Sequence, residues 1–141
     1  MLEILRSRLD DKKIVILGVG NPMRGDDAIG PCLADRLQGK VRATVVNAGD
    51  VPENYLGPVA TVRPEVVVIV DAAELGTAPG EMAIVEANNL AGATLSTHNA
   101  SLSLFIKVLW SEVQADVFLL AVQPASMAFG APMSPAVATA L

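Results

Sequence analysis

Residues 14–30, IVILGVGNPMRGDDAIG, decide the fold. Ile14 to Leu17 is a short, largely β-branched apolar run, the pattern of a strand buried on both faces of a parallel sheet. Gly18 and Gly20 remove side chains where the chain must leave the sheet. Asn21-Pro22 signals a turn, and Gly25 permits a second reversal. Asp26 and Asp27 then stand at a predicted helix start, where carboxylates accept unpaired N–H groups. Ile29, Cys32, Leu33 and Leu37 recur at helical spacing. The stretch reads as strand, glycine-rich loop and helix, with paired acids at the carboxyl edge of the first strand. Open α/β sheets build their sites at that edge.

The rest of the chain extends the same alternation. Residues 1–12 predict a short charged helix. Ala43 to Ala48 reads as the second strand, and Gly49 to Asn54 as a turn rich in capping residues. A short helix over Glu53–Val62 is expected to break near Gly57-Pro58. Glu65-Val-Val-Val-Ile-Val-Asp71 is the clearest strand and is predicted to end on its acid. Glu81–Glu86 alternates polar and apolar, the mark of a half-exposed edge strand, antiparallel to the others. Asn88–Thr97 reads as a loop of small residues. An amphipathic helix is expected from Asn99 to about Gln114, then a strand over Asp116–Gln123. Ser134-Pro135 has the form of an N-cap and first position of a final helix. The reading is one α/β domain over residues 1–141: a three-layer α/β/α sandwich around a mostly parallel sheet of about five strands.

Composition narrows the function classes. The 141 residues are 52% hydrophobic and only 4% aromatic, so the core is aliphatic. The apolar runs are too short to span a bilayer, and the start carries an acid and no cleavage motif, so neither membrane insertion nor secretion is expected. One cysteine excludes an internal disulfide and fits a reducing cytoplasm. On its helix Cys32 reads as a small buried hydrophobe. The net charge of −5, with scattered cations, argues against a nucleic-acid groove.

Three side chains stand where chemistry is built: Asp27 after the first strand, Asp71 at the end of the third, and His98, the only histidine, before the long helix. Two carboxylates and an imidazole brought to one crevice suit a first-row divalent metal such as nickel or zinc. Three protein ligands leave coordination positions open. A helix N-terminus favours the neutral, ligating form of the imidazole. Plainer readings stand beside this one. Either adjacent aspartate serves equally as an N-cap, Asp71 as a turn former, and His98 as a structural histidine. Gly18-Val-Gly20 also has the start of a dinucleotide fingerprint. However, Met23 occupies the place of its third glycine, and two acids at the helix mouth repel a pyrophosphate.

Gly18-Val-Gly20-Asn21-Pro22, Gly25-Asp26-Asp27, Asp71-Ala72 with Pro79-Gly80-Glu81, and Thr97-His98-Asn99, in that order, resemble the hydrogenase maturation endopeptidases. Pro52-Glu53-Asn54 and Gln123-Pro124 are similar to the branch that processes the large subunit of hydrogenase 3. The resemblance spans about residues 13–138. It implies an endopeptidase that removes the C-terminal extension of a nickel–iron hydrogenase large-subunit precursor after nickel insertion, grouped in some classifications with aspartic peptidases. It places the metal contacts, and with them the catalytic set, on Asp27, Asp71 and His98. The most studied branch has Glu in place of Asp27, a conservative departure. Nickel is then presented by the substrate and not held permanently. Asp27 and Asp71 stand as candidate bases, with Asp26 and Glu74 as further ones. The expected partner is the precursor alone, met by a cytoplasmic monomer. The alternative is a nickel-sensing checkpoint or chaperone that binds the same precursor without cutting it. Family members have a longer last helix and a polar tail, so looser packing on one sheet face is expected, away from the three site residues.

Overall fold

The computed structural model describes residues 2–87, 96–97 and 102–140. Five strands lie side by side in the order β2-β1-β3-β6-β4. They are β1 (Ile14–Val19), β2 (Thr44–Gly49), β3 (Val66–Glu74), β4 (Met82–Glu86) and β6 (Asp116–Val122). A two-residue strand, β5 (Ser96–Thr97), pairs with the end of β3. β1, β2, β3 and β6 run parallel, and β4 is the antiparallel edge. The α-helices that lie wholly within the described residues are α1 (Leu2–Leu9), α2 (Ile29–Leu37), α3 (Leu56–Val62), α4 (Leu102–Val113) and α5 (Pro135–Ala140). No helix among the described residues is long and apolar enough to cross a membrane.

The period-2 alternation of β3 divides the core. Val67 and Ile69 pack with Leu102, Ile106 and Leu109 of α4 and Val59 of α3. Val66, Val68 and Val70 pack on the other face with Phe118, Leu5 and Leu9 of α1, and Leu33 of α2. Ile29, Ala72, Val122 and Val137 form a smaller cluster that seats α5. Helices on both faces explain why β3 carries apolar residues at every position from Val66 to Val70.

From β1 the chain runs outward to β2 and then returns to β3 on the other side of β1. The space above β1 and β3 is therefore the sheet's topological switch point, where open α/β sheets leave a crevice. Gly30 lets α2 sit directly on it: a Cβ there would lie 2.3 Å from the Val19 carbonyl oxygen and 2.5 Å from that of Val70.

Several expectations shift in detail. β3 continues to Glu74, so Asp71 is inside the strand and does not end it. Its register with β1 stops at Gly18↔Val70, while β6 accompanies it to Ala72↔Val122. Asp71 is thus the first β3 residue beyond its pairing with β1. Gly57-Pro58 does not break α3, because Pro58 falls in the first turn, where its missing N–H costs nothing. The expected loop before His98 includes β5. Cys32 is only half-buried.

Candidate active site

The turn after β1 is shaped around Asp27. The Gly20 N–H still donates to the Gly49 carbonyl at 2.8 Å, extending the β1–β2 ladder. Gly20 has φ +144, and a Cβ would come within 1.9 Å of the Asp27 carbonyl oxygen, so only glycine fits. The Asn21 side chain accepts from the Met23 N–H at 2.9 Å, and its carbonyl accepts from the Arg24 N–H at 3.1 Å. The Asn21 N–H donates to Asp27 Oδ2 at 2.8 Å. Asp27 therefore caps no helix. It reaches back across the turn, and a short 3₁₀ segment over Gly25–Ala28 leads into α2 without any side-chain cap.

Asp27 and Asp71 come together at the switch point. Both are buried, at 1% and 0% exposure. Burial raises the Asp71 pKa well above the ordinary carboxylate range. The charge of Asp27 and a carboxyl–carboxyl hydrogen bond with it act in the same direction, as does the charge of Asp50. The one opposing contact is the Ala72 N–H, which donates to Asp71 Oδ1 at 2.8 Å. Asp71 Oδ2 is buried with no donor aimed at it among the described residues. Two carboxylates held this way must either share a proton or grip a cation.

Asp26, the neighbour of Asp27, belongs elsewhere. Its carboxylate accepts N–H groups from Ala125 (2.7 Å), Ser126 (3.2 Å) and Ser134 (2.6 Å), and the Ser134 hydroxyl at 2.9 Å. Burial alone would raise its pKa, but these donors outweigh burial and lower it. Asp26 is neither an N-cap nor a free base: it is a clamp on the loop over 124–134. Glu74 is exposed and accepts from Gln123 Nε2 at 3.1 Å, which removes it from the buried pair. The Ser134 N-cap is present, with Oγ accepting the Val137 N–H at 3.4 Å.

His98 lies outside the described residues. Among the described residues no three His, Cys, Asp or Glu side chains gather into a metal site. Sequence reading missed Asp50, whose charge bears on Asp71 from the loop after β2. The signal was its place after a strand at the same sheet edge. It also missed Gln123, whose buried amide accepts the Leu75 N–H at 2.6 Å and ties the ends of β3 and β6 together. A cavity of about 300 Å³ lies between α3 and α4, lined by Glu53, Leu56, Leu104, Phe105 and Val108. It is separate from the acid pair.

Comparison with known proteins identifies the family and the fold. The profile of the family described as hydrogenase maturation protease matches residues 29–141. The hydrogenase 3 maturation protease of Escherichia coli (strain K12) is 35% identical over 123 residues, 85% of this chain and 78% of that protein. The crystal structure of a [NiFe] hydrogenase maturation protease, HycI, from Thermococcus kodakarensis superposes with a TM-score of 0.87 at 33% identity. The match covers 97% of this chain and 90% of that one. The solution structure of the endopeptidase HycI from Escherichia coli gives 0.80 at 32% identity, over 91% and 83%.

Proposed function

The chain belongs to the hydrogenase maturation protease family, a family of peptidases, and on that premise we propose that it removes the C-terminal extension of a nickel–iron hydrogenase large-subunit precursor once nickel is in place. The observation that carries this reading is the buried Asp27–Asp71 pair at the switch point. Burial and the facing Asp27 make Asp71 favour its proton, and an arriving cation reverses that balance by displacing the proton. Such a pair responds to whether a metal has been delivered. Nickel is here part of the substrate, held by the precursor's own thiolates. An O, O, N set from Asp27, Asp71 and His98 grips it less firmly than a thiolate cage, which suits inspection over permanent ownership. Support for His98 comes from its covalent neighbour: Thr97 pairs with Ala73, two residues beyond Asp71.

With the metal docked, the carboxylates fix the precursor's tail beside it. Nickel or a protonated acid polarises the scissile carbonyl, and a carboxylate takes a proton from the attacking water. Addition of water across the peptide bond gives a new carboxyl terminus and a free tail peptide. The reading places the protein in the cytoplasm as a monomer, with that precursor as partner.

Incubation with nickel-loaded precursor tests it. A mobility shift on a denaturing gel, with release of the tail peptide, is expected, and none is expected with metal-free precursor. Binding without cleavage supports the checkpoint alternative instead. His98→Ala should retain the fold by circular dichroism and lose processing. Normal cleavage by that variant would remove His98 from the site.

A further inference from the structure

Two of the most exposed large apolar side chains, Met23 at 62% and Phe129 at 66%, belong to the two loops that flank the acid pair's edge of the sheet. Met23 is in the turn after β1, and Phe129 is in the loop after β6. The backbone joins these loops: the Gly130 N–H donates to the Met23 carbonyl at 2.6 Å, and the Asp26 N–H to the Ser126 carbonyl at 2.8 Å. The Asp26 carboxylate adds its bonds to Ala125, Ser126 and Ser134. Arg24 follows Met23 in the turn, and its guanidinium lies 5.7 Å from the centroid of the Phe129 ring. Arg24 has no ion pair among the described residues; the ion pairs found there both belong to Arg8. Arg24 thus presents an unneutralised cation beside an exposed ring on a chain whose net charge is −5.

We propose that Met23, Arg24 and Phe129 form the seat for a segment of the precursor polypeptide that carries an acidic group beside an apolar side chain. The proposal rests on the processing reading and names what the rim of that site recognises. The apolar groups give the area, since Met adapts to varied partners and an aromatic ring is a rigid anchor. Arg24 gives the sign: a stacked guanidinium is weakly hydrated and meets a carboxylate through paired N–H donors. Because hydrogen bonds already fix both loops, little ordering cost remains at docking. Arg24 is three residues from Asp27 in the same turn, so a segment held here delivers its neighbouring chain to the acid pair.

The test measures the Kd of nickel-loaded precursor by calorimetry and the KM and kcat of its processing, for the wild type and three variants. Arg24→Glu should weaken binding and raise KM about tenfold with kcat unchanged. Phe129→Ser should act in the same direction. Leu104→Ser, equally exposed at 65% on the α3–α4 groove, should change neither quantity. Added salt should weaken binding to the wild type more than to Arg24→Glu. Unchanged Kd for both Arg24→Glu and Phe129→Ser overturns the seat, as does a loss that appears only with Leu104→Ser. A wild type that binds the precursor but never cuts it overturns the processing reading and leaves the seat to be judged on Kd. A wild type that does not bind overturns both.

Discussion

Asp26 and Asp71 are both fully buried carboxylates at the same end of the sheet, and their surroundings are opposite. Asp26 is saturated with four donors from the loop after β6, and its pKa lies below the ordinary value. Asp71 has one N–H donor, faces a second carboxylate, and titrates well above that value. A buried acid surrounded by donors supports the fold. A buried acid denied them is held against its preference, and such sites are typical of functional positions. The contrast also separates two adjacent residues: Asp26 and Asp27 are consecutive in one 3₁₀ turn, yet one holds the loop after β6 and the other faces Asp71.

The largest expected effect tests the scaffold side. Asp26→Ala leaves the N–H groups of Ala125, Ser126 and Ser134 without their acceptor, and bonds to a charged group are each among the stronger kind. A loss of about 3 kcal/mol or more is expected in urea unfolding. Its pH dependence has a definite sign. Because the folded-state pKa is depressed, this stability is fully present above the ordinary carboxylate value and disappears as pH falls through the depressed one. The variant should therefore lose most of its deficit in acid. An equal deficit at all pH values would mean that Asp26 acts by shape and not by charge.

Asp71→Asn should move stability the other way. With a raised folded-state pKa, the native protein binds the proton more tightly than the unfolded chain does. Wild-type stability then falls as pH rises from the ordinary carboxylate value through the raised one. Asparagine keeps an acceptor for the Ala72 N–H and removes the buried charge facing Asp27. The expected outcome is a higher urea midpoint above the raised titration, a flatter pH profile, and, on the proposed role of Asp71, processing lower by about 100-fold. A variant that is both less stable and fully active would erase the contrast with Asp26.

Much of this was legible before the fold was known. The apolar run of β3, the alternation of β4 and the glycine loop after β1 marked the strands as central or edge, because burial on two faces or one leaves a direct mark on sequence; the strand order was not marked in this way. The meeting of Asp27 and Asp71 was readable because each follows or occupies a strand at the carboxyl edge. The division of labour between Asp26 and Asp27 was not legible. Adjacent acids look alike in sequence, and the partners of Asp26 lie about 100 residues away, at Ala125, Ser126 and Ser134. Separation along the chain also hid the contact of Gln123, whose amide meets Leu75 from 48 positions away.

The finest probe of the comparison is Ser134, which donates its hydroxyl to Asp26 and accepts the Val137 N–H at the start of α5. Ser134→Ala removes one of four donors to the carboxylate together with the helix cap, so a cost of about 1 to 2 kcal/mol is expected, well below that of Asp26→Ala. The two contributions respond differently to acid. The cap bond is indifferent to the state of Asp26, whereas the bond to the carboxylate weakens once that group is protonated. The deficit should therefore shrink, but not vanish, as pH falls through the depressed titration of Asp26. Ser134→Thr keeps the hydroxyl and should restore most of the loss. If the deficit of Ser134→Ala is the same in acid as at neutral pH, the hydroxyl serves only the helix, and the saturation of Asp26 depends on backbone donors alone.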